Sequence, residues 1–111
     1  MKIAKQAAVV GIGATPYYRR GESHPQTFNE LICKAIINAT EDAGLSVKDI
    51  DGFSYYSTGT DTGLLMESLG IPEVRYSSMV SGGGGGSVGA VQNAAMAVAT
   101  GAANVVGVPF C

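Results

Sequence analysis

Seven residues near the start, Ala7-Ala8-Val9-Val10-Gly11-Ile12-Gly13, are apolar without interruption and close on glycine, the pattern of a short strand covered on both faces. A polar loop carrying Pro16 and Pro25 follows, over residues 14–26. Thr27-Phe28-Asn29-Glu30 then has the capping-box signature, with Thr27 at N-cap and Glu30 at N3. Beyond it Phe28, Leu31, Ile32, Ala35, Ile36, Ala39 and Ala43 recur at the i, i+3, i+4, i+7 spacing of one helix face, and Gly44 stops the helix.

Ser46-Val47-Lys48-Asp49 repeats the capping pattern over a single turn, and Asp51-Gly52 reads as a turn pair. Residues 53–57, Phe-Ser-Tyr-Tyr-Ser, have strand composition. Asp61 or Thr62 caps a short helix through Leu64, Leu65 and Leu69, ended by Gly70. A third strand is predicted over 74–80, an apolar helix over 87–100 with Gly101 as its stop, and a fourth strand over 104–108. The order β-α-β-α-β-α-β predicts an α/β fold with a mixed, mostly parallel sheet and helices on its faces. The last helix and the first and last strands are the most apolar segments, so they are expected to lie most centrally.

Charge sharpens this picture. All sixteen charged residues fall within positions 1–75, and the last 36 residues contain no Lys, Arg, Asp, Glu or His. Such a tail belongs to a membrane, a buried core or an interface. The membrane reading fails on length: a helix over 87–100 spans roughly 21 Å, against a hydrocarbon core of ~30 Å. It also carries Gln92 and Asn93 at its middle. A helix apolar nearly all round belongs inside a larger protein. Mean hydropathy is +0.21 and 46% of the chain is hydrophobic, which excludes a disordered glycine-rich linker.

Net charge of −2 gives no basic footprint for nucleic acid. Two cysteines, Cys33 and Cys111, form no disulfide framework, and with one histidine, His24, the chain lacks the ligands for a zinc site. The polar start, Met1-Lys2-Ile3-Ala4-Lys5-Gln6, is unlike a signal peptide, so a cytoplasmic setting is expected. Cys33 sits about 140° from Phe28 at 100° per residue, off the apolar stripe, and reads as an inert edge thiol. His24 reads as solvated, Asp61 as a cap, and the five tyrosines as packing residues with a hydroxyl at the rim.

Two glycine motifs invite nucleotide chemistry, and neither completes it. Gly11-Ile12-Gly13 lacks the third glycine of a dinucleotide fingerprint, Pro16 standing in its place, and it reads as a turn leaving the first strand. The run Gly82-Gly83-Gly84-Gly85-Gly86 followed by Ser87 has the strand, loop, helix order of a phosphate loop without its lysine. What remains is a helix N-terminus with free N–H groups, a place that can hold an anion or a developing oxyanion. Five consecutive glycines lose much conformational entropy on folding, which favours a functional role over loose packing.

Three stretches carry a resemblance. Residues 8–16, Ala-Val-Val-Gly-Ile-Gly-Ala-Thr-Pro, residues 39–52, Ala-Thr-Glu-Asp-Ala-Gly-Leu-Ser-Val-Lys-Asp-Ile-Asp-Gly, and residues 86–108 resemble the thiolase superfamily, most of all its lipid-transfer-protein (sterol-carrier-protein-x) branch. The resemblance covers nearly the whole chain but only the first half of the first of that family's two repeated halves, so the chain, residues 1–111, is expected to be the N-terminal part of a thiolase-like βαβαβαβ half-domain. It implies a dimer paired through the third strand and acyl-CoA chemistry, with no bound cofactor beyond the coenzyme A of the substrate. The family's nucleophilic cysteine would fall at Gly83 or Gly84, and no cysteine occurs from Ser81 to Thr100. Ser87 is a weak substitute.

A branch of the family without that cysteine cleaves steroid acyl-CoA side chains by retro-aldol chemistry and associates with an OB-fold partner. The expectation is therefore a non-thiolytic carbon–carbon lyase of lipid or steroid acyl-CoA metabolism, the site formed at Gly82 to Gly86 and Ser87. An ordinary acetyl-CoA C-acyltransferase is the alternative within the family, and a non-catalytic dimerising or binding module the alternative outside it. The family's histidine and second cysteine belong to its second half, so the 111-residue chain alone is expected to be inactive.

Overall fold

In the computed structural model the described residues are 6–56, 60–81 and 85–110. Helix α1 spans Phe28–Ala43 and a single 3₁₀ turn Val47–Asp49; strand β1 is Gly52–Tyr56, helix α2 Thr62–Leu69, strand β2 Tyr76–Val80, helix α3 Gly85–Ala99 and strand β3 Val106–Gly107. The strands form one parallel sheet in the order β2-β1-β3. β1 pairs β2 along its whole length, Gly52 opposite Tyr76 through Tyr56 opposite Val80, and pairs β3 only at Gly52 and Phe53.

The helix boundaries follow the capping chemistry. Thr27 Oγ1 accepts the Glu30 N–H at 3.1 Å, and Gly44 closes α1 in the left-handed conformation, φ 73°. Ser46 and Asp49 complete a reciprocal capping box. Asp61 Oδ1 accepts the Leu64 N–H at 2.8 Å, so Asp61 is the cap of α2.

The sheet has different cover on its two faces. Phe53 and Tyr55 point into a cluster with Ile32 and Ile36 of α1 and Leu65 and Leu69 of α2. Ser54 and Tyr56, alternating with them, face α3. Ser54 is fully buried and its Oγ donates to the Ala90 carbonyl at 2.7 Å. Asn93 Nδ2 donates to Ser78 Oγ at 3.0 Å, a second polar tie between α3 and the sheet.

Several sequence expectations are corrected. Residues 7–13 form no strand. β1 is held by β2 on one side and, at Gly52 and Phe53, by β3 on the other, and residues 7–13 pair with none of the three described strands. The segment runs instead along α1. A Cβ at Gly11 or Gly13 would strike the backbone around Ala39, and the Ile12 N–H donates to Asp42 Oδ2 at 2.9 Å. These two glycines serve close approach to a helix rather than a turn. Val9, Val10 and Ile12 are left 79%, 63% and 76% exposed.

The centre of the sheet is β1, not the most apolar strands; β3 is an edge of two residues, shorter than the predicted 104–108, and Pro109 falls beyond it. β2 begins at Tyr76, two residues after the predicted start. The described strands are all parallel rather than mixed. α3 is half-covered: Gly86, Ala90, Ala94 and Ala97 are buried, while Val88 and Met96 face outward.

Candidate functional site

The carboxyl ends of the parallel strands β1 and β2 lie on one edge of the sheet, where open parallel sheets bind their ligands. From β1 the chain passes to α2, and from β2 through the glycine run to α3. Gly82, Gly83 and Gly84, including the two positions at which the resemblance places a nucleophile, lie outside the described residues, as does Cys111. Gly85 and Gly86 do not belong to a loop. They are the first two residues of α3, which starts two positions earlier than Ser87, the expected first residue.

The first turn of α3 brings three different environments together. Gly85 is exposed, with open space where a Cβ would stand. Gly86 is buried, and the ring of Tyr56 occupies the position its Cβ would need. Ser87 is half-buried, and its hydroxyl has no hydrogen-bond partner among the described residues. The first N–H groups of the helix have no intrahelical acceptor, and with no carboxylate anywhere from residue 76 onward, α3 carries none to offset its positive end. That end can stabilise an oxyanion, and among the described residues of the first turn Ser87 carries the one hydroxyl.

A hydroxyl cluster lies on the other face of the same edge. The buried Tyr55 hydroxyl accepts the Thr62 N–H at 3.1 Å and stands 3.2 Å from Thr62 Oγ1. Thr62 Oγ1 is in turn 2.5 Å from Ser77 Oγ. Tyr55 is thus a buried packing residue whose hydroxyl fixes the first turn of α2. Sequence reasoning did not find this cluster, because hydroxyls seven and fifteen positions from Thr62 meet only when β1 and β2 pair in register. Tyr17 and Tyr18, placed at the rim by the sequence, are exposed.

Cys33 is buried, not an edge thiol. α1 is covered on two flanks, by the sheet and by α2, so its buried face is wider than the apolar stripe. Burial pushes the thiol up from its ordinary value, and a hydrogen bond with Ser68 opposes that in smaller measure. Ser68 also accepts from Asn29 Nδ2 at 2.8 Å, and Thr60 Oγ1 donates to Asn29 Oδ1 at 3.2 Å. His24 is exposed in its loop. No three metal-ligating side chains gather among the described residues, and no helix is long and apolar enough to cross a membrane.

A large apolar cleft, about 910 Å³, lies away from this edge, between residues 6–13, α1, the second half of α3 and residues 104–110. Neither Tyr56, Gly85, Gly86 nor Ser87 lines it.

Comparison with known proteins agrees with the thiolase resemblance. The chain is 42% identical over 106 residues to a 17-hydroxy-3-oxo-4-pregnene-20-carboxyl-CoA lyase of Mycobacterium tuberculosis, covering 94% of this chain and 26% of that protein. It is 43% identical over 102 residues to a steroid side-chain-cleaving aldolase of Thermomonospora curvata, covering 90% of this chain and 25% of that one. Among solved structures it superposes on the Ltp2-ChsH2(DUF35) aldolase with a TM-score of 0.81 at 39% identity, covering 89% of this chain and 25% of that one. It also matches a 3-oxoacyl-[acyl-carrier-protein] synthase III of Aquifex aeolicus, TM-score 0.64 at 21% identity, covering 76% of this chain and 29% of that one, a likeness of fold alone. No protein-family model matches the chain. The chain is thus similar to proteins named as steroid side-chain lyases and aldolases over about nine-tenths of its own length, shares the α/β fold of the synthase, and spans about a quarter of the length of the relatives it matches.

Proposed function

We propose that this chain forms part of a carbon–carbon lyase that splits the side chain of a hydroxylated lipid or steroid acyl-CoA by a retro-aldol step, leaving the thioester intact. A base takes the proton of the β-hydroxyl group, and the oxygen's electron pair forms a carbonyl. The bond between the α and β carbons breaks, and its electron pair moves onto the thioester as an enolate. Protonation at the α carbon releases a shortened acyl-CoA and a ketone. The step needs enolate stabilisation and a base, and no covalent nucleophile.

The observation that carries this reading is the match, over nine-tenths of the chain, to two proteins named as a lyase and an aldolase of steroid side chains. The glycine run agrees with it: glycines stand at 83 and 84, where a thiolytic relative would carry cysteine. In this reading Gly82 to Gly86 and Ser87 form the loop and helix start at which the thioester oxygen lies, held by the free N–H groups of α3. The bulk removed by glycine leaves room for the substrate chain.

The same reading takes coenzyme A as part of the substrate, with no other cofactor, and places the protein in the cytoplasm. A homodimer through β2 is supported by that strand's position at a sheet edge, with Met79 61% exposed on it. An OB-fold partner is supported by the structural match to an aldolase solved with a DUF35 component.

The test is a product assay, reading the ketone and the shortened acyl-CoA, on the protein as it is made in its cell, with any co-purifying partner. A 17-hydroxy steroid bearing a side-chain CoA thioester, offered without free CoA, is expected to yield the 17-ketone and a shortened acyl-CoA. Cleavage of a 3-ketoacyl-CoA that requires free CoA would instead establish the acyltransferase reading. Absence of both reactions from a folded dimer would favour the binding module.

A further inference from the structure

β1 ends in two adjacent tyrosines that leave the sheet on opposite faces. Tyr55 is tied down by the Thr62 N–H and hydroxyl, while Tyr56 bears on α3. The residues of α3 that meet the sheet in its first two turns are small. Gly86 lies under the Tyr56 ring, a Cβ at Gly89 would stand 3.3 Å from Val80 Cγ1, and Ala90 is fully buried. One turn into the helix, Ser54 Oγ fixes the Ala90 carbonyl at 2.7 Å. The helix is therefore anchored to β1 at Ala90, and four residues earlier it rests on an aromatic ring.

The geometry points to Tyr56 as a positioning residue for the proposed reaction. Its ring sets the height of the first turn of α3 above the carboxyl end of the sheet, with Gly86 as the complementary gap. This rests on the reading of that turn as the place of the thioester oxygen. A rigid ring supplies a fixed stop at small entropic cost, where a flexible side chain would let the turn settle. Misplacing a catalytic group by about 1 Å costs on the order of a hundredfold in rate, so the stop matters to the N–H groups even though Tyr56 acts only through Gly86.

The experiment uses the full enzyme and four variants: Tyr56→Phe, Tyr56→Ala, Gly86→Ala and the double Tyr56→Ala/Gly86→Ala. Each is read by kcat and KM, by thermal melting, and by amide hydrogen exchange of the peptide over residues 85–88. Tyr56→Phe keeps the ring and is expected to stay within about threefold of wild type. Tyr56→Ala is expected to lower kcat roughly 10- to 100-fold with KM changed much less, because the N–H groups act chiefly in the transition state. It should also speed exchange in the first turn. Gly86→Ala should fall similarly. The double variant should recover part of that loss, the methyl group entering the space the ring has left. Tyr56→Leu replaces Tyr56→Ala if the latter does not fold.

Equal loss in Tyr56→Phe and Tyr56→Ala would overturn the proposal in favour of direct chemistry by the hydroxyl. A lower melting temperature with kcat and exchange unchanged would overturn it in favour of plain packing. Wild-type enzyme without lyase activity would sink the functional reading instead, and the exchange data would still decide whether the ring holds the turn.

Discussion

The carboxylate of Asp51 takes the Asn104 N–H on both of its oxygens, at 2.9 and 3.0 Å, across 53 residues of chain. Oδ1 also accepts the Val105 N–H at 2.9 Å. The backbone of Asp51 adds a bond from its N–H to the Val105 carbonyl, and its own carbonyl accepts from Arg75 and Tyr76. One residue, standing just before β1, thus ties the starts of all three strands. Asp51→Ala should destabilise the fold by about 1–3 kcal/mol, because Val105 is half-buried and loses its acceptor. Asp51→Asn, which keeps one acceptor oxygen, should cost less. Arg75→Ala should cost about 0–1 kcal/mol, since its ion pair with Asp51 is 3.9 Å long and lies at the surface. The order of the three urea midpoints checks this.

Ser54 tests the close seat of α3. Ser54→Ala removes the donor to Ala90 and should cost about 1 kcal/mol. Ser54→Val loses the same bond and adds volume at a fully buried site, so a further 1–3 kcal/mol is expected. Equal midpoints for the two variants would show that α3 can lift from the sheet freely.

Cys33 offers a pH and reactivity test. Its folded value is raised, by burial above all, so its contribution to stability is complete below the ordinary thiol range. That contribution is lost as pH rises toward the raised folded value, because the unfolded thiol ionises first. Cys33→Ala should therefore flatten the fall in stability above pH about 8.5. In a Cys111→Ser background, Cys33 should react with a thiol reagent far more slowly in the native protein than in denaturant.

The segment over residues 6–13 can be released without touching the core. Gly13→Ala places a methyl group against the backbone at Ala35 and Ala39. Hydrogen exchange at the Ile12 N–H, now bound to Asp42, should accelerate, with little change in the melting of the Phe53 and Leu65 cluster. Unchanged exchange at Ile12 would mean that α1 yields instead.

Much of the local architecture was legible along the chain. Thr27, Ser46 and Asp61 start their helices, and Gly44 and Gly70 end theirs in the left-handed conformation. These are interactions between residues two to four apart, so a pattern of neighbours suffices to determine them. The glycine run, the missing cysteine and the uncharged tail are likewise facts of sequence, and with them the family resemblance.

Tertiary structure decided what depends on pairing and on shared cover. An apolar run such as residues 7–13 becomes a strand only if it pairs with one, and here it lies against α1 instead, with Gly11 and Gly13 at the backbone of Ala39. Cys33 is buried because α1 meets two partners, which a single apolar stripe does not reveal. Asp51 gathers three strands, Tyr55 finds Thr62, and Tyr56 finds Gly86 only once parallel register has brought distant residues together. Short-range hydrogen bonding and side-chain type fix each element by itself; which faces meet, and how closely, is settled by packing across the whole chain.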